Sequence, residues 1–476
     1  MTRQFREDAL PFCLVAIAAS FFAQDRVDAD PRQTDTVAIT LSGAIDMDWV
    51  WRGRALTAAR GAFGFYGGGF GTLGRGEGVI ETQARIRMDV DLSERVRVVL
   101  QLENKRLEGG ANVDLLGANP EGLNLFAREA SIRFTDCFFK SVDISAGVIP
   151  WSFDVRGTGH AFFWDPAHAA SMTSNVLNGV GGGTGAASLV RDNLQPTGLV
   201  ISYRTEQWEV TSALLPAIIE GGDAQNDEAG YLVSAIYELL SVGRGSKVGG
   251  ILAQTSHTVG SGAFSNLTTL GAEASIRQWP LEELELFGAA YWQRGFVGSI
   301  AQNAIEAYGF AYELGVRYSA GDSMRFWVEG KFTYLSGDRH QSGADDNIDA
   351  FLSYRNAGDL LIIEDAFFGL NWNTNLRAFV FSSALSWPDA KFDAQLTLGF
   401  CRAAQDVSFP GFSDTTALGK EIDVRVRWSP LRQASLEFGV AFLVDSEILR
   451  SFLGGPGNPD ADNATQLFTL AGKIRF

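Results

Sequence analysis

From residue 37 onward, apolar and polar residues alternate with a period of two. Val37, Ile39, Leu41, Gly43, Ile45, Met47, Trp49 and Trp51 interleave with Ala38, Thr40, Ser42, Ala44, Asp46, Asp48 and Val50. Ile80, Thr82, Ala84, Ile86, Met88, Val90 and Leu92 interleave with Glu81, Gln83, Arg85, Arg87, Asp89 and Asp91. Successive side chains of a strand point to opposite faces, so each run predicts a strand with one apolar and one polar face. Eighteen such segments follow one another: 37–51, 79–92, 95–104, 125–134, 141–151, 197–204, 207–215, 230–239, 247–255, 268–277, 283–294, 308–318, 323–335, 376–387, 391–402, 419–429, 434–443 and 466–476. Strands of soluble sandwiches are commonly about 5–6 residues long, whereas a tilted membrane-spanning strand needs about 9–11. Most of these runs match the second length.

The connections alternate as well. The odd-numbered ones are long, among them 52–78, 105–124, 152–196 and 336–375, and the even-numbered ones are short. Long outer loops alternating with short periplasmic turns mark a bacterial outer-membrane barrel. The expected fold is therefore all-β: an antiparallel transmembrane β-barrel of 18 strands, over residues 37–476, in the bacterial outer membrane. The segment 361–372 is apolar enough for a strand, but it would make the count odd, and single-chain bacterial barrels are even; it is assigned to the loop. Aromatic residues sit near segment ends on the apolar face: Phe134, Tyr203, Trp292, Tyr318, Phe326, Tyr334, Phe400, Trp428 and Phe442. Such rings are expected at both water interfaces. Phe476 resembles the terminal aromatic that marks outer-membrane proteins for assembly.

Ahead of the barrel, Arg3 and Arg6, the apolar stretch 9–19 and the small residues that follow read as an export signal over residues 1–23, with 24–36 a short periplasmic segment. The excess of 56 acidic over 39 basic residues, a net charge of −17, argues against a nucleic-acid partner, because phosphate contacts need a basic face. Three cysteines, Cys13, Cys137 and Cys401, supply no disulfide framework.

If the apolar phase faces lipid, the other phase lines the lumen. That phase carries Arg85, Arg87, Arg97, Arg133, Arg317, Arg325, Lys331, Arg425 and Arg427, with Glu81, Glu103, Glu129, Glu313, Glu329, Glu421, Asp423 and Glu437. Counting along the strands puts Arg85, Arg87, Glu129, Glu329, Lys331, Asp423 and Arg425 near mid-height. Arginine pairs with carboxylates and acidic groups accept hydroxyl protons, so the mixture suits a solute bearing both. Wall ladders of paired charge with no role toward solute are the plain alternative. An interior of eighteen strands is too wide for wall side chains to fill and is expected to hold water. The longest loop, 152–196, is expected to fold inward and narrow it, an outer flap being the alternative. The Gly-rich stretch 61–78 lacks the ending of a phosphate loop and reads as an exterior loop.

Two stretches resemble the alginate export family of outer-membrane porins. The first is Tyr334-Leu335-Ser336-Gly337-Asp338, then Phe351-Leu352 and Asn375-Leu376-Arg377. The second is Leu418-Gly419-Lys420-Glu421-Ile422-Asp423. Phe153-Asp154-Val155-Arg156-Gly157 is a weaker match to the family's acidic-x-Arg segment. The resemblance covers about a quarter of the chain, roughly 323–445. It implies an eighteen-strand barrel, passage of an anionic polysaccharide, and lumen roles for Arg156, Glu421 and Asp423. The inner face is not plainly basic, a departure from that family.

The expected function is a passive porin for an anionic or hydroxyl-rich solute, an alginate-like polymer included. Outer-membrane lipid and lipopolysaccharide are the expected surroundings, and periplasmic secretion partners would accompany an export role. A non-specific porin and an adhesion barrel working through its loops are the alternatives. An enzyme is not expected: His160, His168, His257 and His340 all fall in predicted outer loops, so no His-centred triad can form on the strands. No cofactor or metal is expected, since the sequence has no Cys/His spacing for one, and Asp345, Asp346 and Asp349 miss the calcium-loop spacing.

Overall fold

The structure, a computed structural model, describes residues 37–52, 78–108, 125–149, 151–158, 162, 197–215, 228–258, 263–299, 302–321, 324–337, 347–349, 351, 359–364, 375–407, 415–454 and 464–476. The export segment, the Gly-rich stretch 61–77, His160, His168, His340, Asp345 and Asp346 lie outside the described residues. Ala38–Phe476 forms the unit considered below.

Eighteen long antiparallel strands make its wall: β1 Ala38–Arg52, β2 Gly78–Ser93, β3 Val96–Glu108, β4 Leu125–Phe134, β5 Val142–Val148, β6 Thr197–Arg204, β7 Trp208–Leu215, β8 Glu228–Glu238, β9 Lys247–Thr258, β10 Ala263–Arg277, β11 Leu284–Ser299, β12 Gln302–Ala320, β13 Arg325–Leu335, β14 Leu376–Trp387, β15 Phe392–Val407, β16 Thr415–Leu431, β17 Ala434–Val444 and β18 Thr465–Arg475. Each pairs with its sequence neighbours, and β18 returns to β1 with Ala44 opposite Arg475 and Arg52 opposite Leu467. That last pairing closes the sheet, so that no strand is left as a free edge, as hydrocarbon surroundings demand. A two-residue bridge, Asn347–Ile348, adds in parallel to β12 at Glu306 and Ala307, beyond the end of the β12–β13 pairing, and does not span the wall. A short helix, α1 Glu447–Gly454, follows β17.

All eighteen segments expected from the alternation are strands. Several run farther at their outer ends: β10 starts at Ala263 and β12 at Gln302. His257 consequently lies in β9, opposite Ser265, and not in an outer loop as the sequence suggested. In the other direction, β5 stops at Val148 where 141–151 had been expected. Gly147 there has φ +119°, and a Cβ at that position would collide with the Ala130 carbonyl. Leu361–Glu364, within the ambiguous segment 361–372, forms a turn, and the rest of that segment lies outside the described residues.

The two faces separate as the pattern requires. Ile39, Leu41, Ile86, Leu252, Leu270, Phe379, Phe400 and Ile474 are exposed on the outer face. The buried apolar residues lie on the inner phase and meet residues of the connecting loops there. The core of this unit is therefore inside the barrel, against one arc of its wall.

A candidate solute passage lined by charge

Among the described residues, segments of two long loops run into the lumen. After β5 the chain turns inward at Ile149 and buries Phe153, Val155 and Phe162. Gly249 on β9 leaves room for them: a Cβ there would lie 2.7 Å from Val155 and 3.1 Å from Phe153. The Val155 N–H donates to the Glu273 carboxylate at 3.3 Å. Arg156 then spans the wall, donating to Glu285 at 3.3 and 3.4 Å and to Glu329 at 3.0 Å, with its guanidinium 3.5 Å from the centre of the Phe287 ring. Burial disfavours the Arg156 charge, but the two carboxylates outweigh it, and its pKa lies above the ordinary guanidinium value.

The second loop joins β13 to β14. Its Phe351 is fully buried and donates its N–H to the Ser336 carbonyl at 3.1 Å. Its turn 359–364 lies on the inner faces of β15 and β16. There the Ile362 and Ile363 N–H groups donate to the two oxygens of Glu421 at 2.6 and 2.8 Å, and the Leu361 N–H donates to Asp423 at 3.0 Å. Leu360 occupies the space left by Gly399, where a Cβ would approach it to 2.7 Å. Lys331 holds Asp359 from the other side and lies 3.4 Å from Glu313. Arg425 donates to the Asp359 carbonyl at 3.4 Å.

The arc formed by β1–β4 is different. Arg85 pairs with Asp46, while Arg87 reaches Asp89 at 2.8 Å and Glu129 at 2.7 Å. Arg133 shares Glu129, and Ser131 donates to the same carboxylate at 3.1 Å. The carboxylates lie flat against the wall and the guanidiniums project: Glu129 is 2% exposed, against 33% for Arg85, 31% for Arg87 and 39% for Arg133. Cations held from behind by buried acids stay fixed in place. Arg85 and Arg133 each donate to a carboxylate through one terminal nitrogen, whereas all three nitrogens of Arg87 are engaged by Asp89, Glu129 and Gln101.

The nine expected lining residues therefore divide. Arg85 and Arg87 are part-exposed on the inner phase, with Glu129 holding Arg87 and Arg133 from behind. Glu421 and Asp423 are buried under the second loop and accept its N–H groups. Lys331 and Arg425 engage that same loop, and Arg156 with Glu329 tethers the first. Those six lie on the inner side, where their contacts are with the protein. Loop residues occupy part of the interior, as the inward folding expected of loop 152–196 implies. Arg133, on the inner phase but outside the expected lining set, joins the exposed group. Phe153, Val155 and Leu360–Ile363 carry a signal for infolding that the loop-length argument did not use: apolar loop residues whose burial needs a wall to meet. Among the described residues no cluster of acidic, Cys or His side chains would hold a metal.

A closed eighteen-strand antiparallel barrel with an apolar, aromatic-bordered outer face is a bacterial outer-membrane barrel. In fold it is similar to Acinetobacter baumannii OccAB1 (9% identity, TM-score 0.52, covering 92% of this chain and 96% of that one). It is similar also to Pseudomonas aeruginosa OpdL (10% identity, TM-score 0.51, 92% and 98%). An anion-selective porin from Comamonas acidovorans aligns over 93% of this chain and 100% of its own at 13% identity, with a TM-score of 0.42. At such identities the likeness concerns the fold alone. No family profile matches the chain, and no curated protein is similar to it in sequence.

Proposed function

We propose that the protein is a passive outer-membrane channel for a solute carrying carboxylate and hydroxyl groups, an acidic saccharide being the leading case. The observation that carries this reading is the row Arg85, Arg87 and Arg133, projecting into the lumen from a wall of buried carboxylates. A guanidinium can take a carboxylate in bidentate fashion, and the neighbouring acids accept hydroxyl protons. An alginate-like polymer, with periplasmic secretion partners, is the narrower form of the reading and rests on the motif residues alone. A non-specific porin is favoured by one observation: each of the three arginines already has a carboxylate partner. The adhesion reading falls mainly on loops outside the described residues.

Planar-bilayer conductance separates these readings. Wild-type current should be blocked by acidic oligosaccharides more strongly than by neutral ones of equal length. Arg85→Ala with Arg87→Ala should weaken acidic block about tenfold, the size of one lost charge-assisted contact, and shift ion selectivity toward cations. Equal block by acidic and neutral sugars, unchanged in the variant, would leave only the non-specific porin.

A further inference from the structure

The strand register brings basic residues together on the lipid-facing side of the wall. Arg377 is the second residue of β14 and Arg402 lies toward the outer end of β15, and the two are directly opposite in the ladder. Both are exposed and belong to the outward phase, since their neighbours Leu376, Ala378, Cys401 and Ala403 are buried inside. Lys420 on β16 faces outward opposite Phe400, one diagonal step from Arg402. Tyr334 on β13 stands opposite Arg377 on its other side. Immediately toward the periplasm come Phe379 and Phe400, themselves a ladder pair, 49% and 51% exposed. Basic residues thus stand just above an aromatic row, at the level where hydrocarbon gives way to the outer headgroups.

Like charges directly opposite in a ladder repel. Here the repulsion is not relieved by acids: among the described residues the cluster has one carboxylate partner, Asp445, which lies 2.8 Å from Lys420. Arg377 donates to the Ala403 and Ala404 carbonyls at 3.5 and 3.3 Å, which holds its guanidinium over β15 beside Arg402. One held guanidinium, Arg377, and a second exposed one beside it, Arg402, facing the same outer-leaflet headgroup level, form a site for an anion with several oxygens.

We propose that Arg377, Arg402 and Lys420 bind a phosphate of a phosphorylated glycolipid of the outer leaflet, the lipid A part of lipopolysaccharide. The headgroup phosphate bridges the two arginines and relieves their repulsion. The acyl chains lie along Phe379 and Phe400. Basic pockets at a membrane surface recognise lipid headgroups by this chemistry.

The test uses the full protein, stripped of lipid in neutral detergent and exposed to lipid A carrying both phosphates, to dephosphorylated lipid A, or to inorganic phosphate. Bound lipid is counted by native mass spectrometry and thermal unfolding is followed in parallel. Wild type should retain phosphorylated lipid A and unfold at a higher temperature with it. Arg377→Gln with Arg402→Gln should lower retention about tenfold or more, as loss of a bidentate charge-assisted contact implies. In detergent alone that variant should unfold no earlier than wild type, because the repulsion is gone. Arg427→Gln, on the inner face near the periplasmic end, should retain lipid as wild type does. If the double variant does not fold, Arg402→Gln alone gives the same readout. Equal retention of phosphorylated and dephosphorylated lipid, or undiminished retention in the variant, overturns the proposal. A full thermal shift from inorganic phosphate alone overturns the lipid assignment. Conductance does not enter, so failure here leaves the solute reading standing.

Discussion

Gly43 and Phe476 close the barrel as a reciprocal backbone pair. The Gly43 N–H donates to the Phe476 carbonyl at 2.8 Å, and the Phe476 N–H donates back to the Gly43 carbonyl at 3.0 Å. The Phe476 ring covers Gly43 on the outer face, so that a Cβ there would collide with it. Gly43→Val should therefore displace the ring and weaken the seam by about 1–3 kcal/mol, the usual cost of overpacking. The expected result is a lower unfolding temperature, read by the heat-dependent shift of the folded band in a cold detergent gel. An unchanged transition would show that the ring contributes nothing to closure.

The turn 359–364 depends on Glu421. Its two oxygens take adjacent N–H groups, and buried hydrogen bonds contribute about 0.5–1.5 kcal/mol each. Glu421→Ala should release the turn and leave the barrel wall intact. Single-channel conductance should rise and become noisier, while Glu421→Gln, which retains one acceptor oxygen, should be intermediate. Identical conductance in all three proteins would mean that the turn does not restrict the passage.

Adjacent residues on β2 test the assignment of faces. Ile86 is 58% exposed on the outer side, and Arg87 is held inside by Asp89 and Glu129. Ile86→Arg should impair insertion by about 2–4 kcal/mol, the range for a cation at bilayer mid-depth. Arg87→Glu places acid beside acid in the lumen but leaves the lipid face alone; it should insert and shift selectivity toward cations. Equal insertion defects in both would reverse the faces.

The wall was legible because period-two alternation is a local signal imposed by lipid on one side and water on the other. Each strand carries it in its own ten or so residues, as 80–92 does. Ladder register, by contrast, is a property of pairs: nothing near Arg377 in sequence places it opposite Arg402. The loops were harder still. Glu421 reads as a lumen charge until the N–H groups of residues some sixty positions earlier are found on it. The same holds for Arg156, whose partners Glu285 and Glu329 lie 129 and 173 positions away. Motif residues noticed for their family resemblance, Ser336, Asn375 and Glu421, prove to hold a loop. Ser336 accepts the N–H groups of Phe351 and Asn375, and Asn375 sits at φ 50°, a conformation asparagine tolerates better than most residues.

Both infolded loops meet at one side chain, Tyr291. Phe162 of the first loop stacks on its ring at a centroid distance of 5.5 Å, and Phe351 of the second stands 6.3 Å from it on a tilted plane. Tyr291 itself lies across Gly271, where any Cβ would strike its ring, and its hydroxyl donates to Glu273 at 2.5 Å. Glu273 in turn accepts the Val155 N–H, so a second route leads from Tyr291 to the first loop. Tyr291→Ala would leave a void between the loops and deprive Glu273 of a donor. Truncating a buried aromatic costs about 3–5 kcal/mol, and here the loss falls on loop packing, since the ladder hydrogen bonds of β11 are untouched. The variant should insert normally yet show larger conductance than Glu421→Ala, because both loops loosen together. Tyr291→Phe retains the ring and should stay close to wild type in conductance. Loops held independently would give the opposite order, with Tyr291→Ala disturbing the channel no more than loss of the single Glu421 anchor.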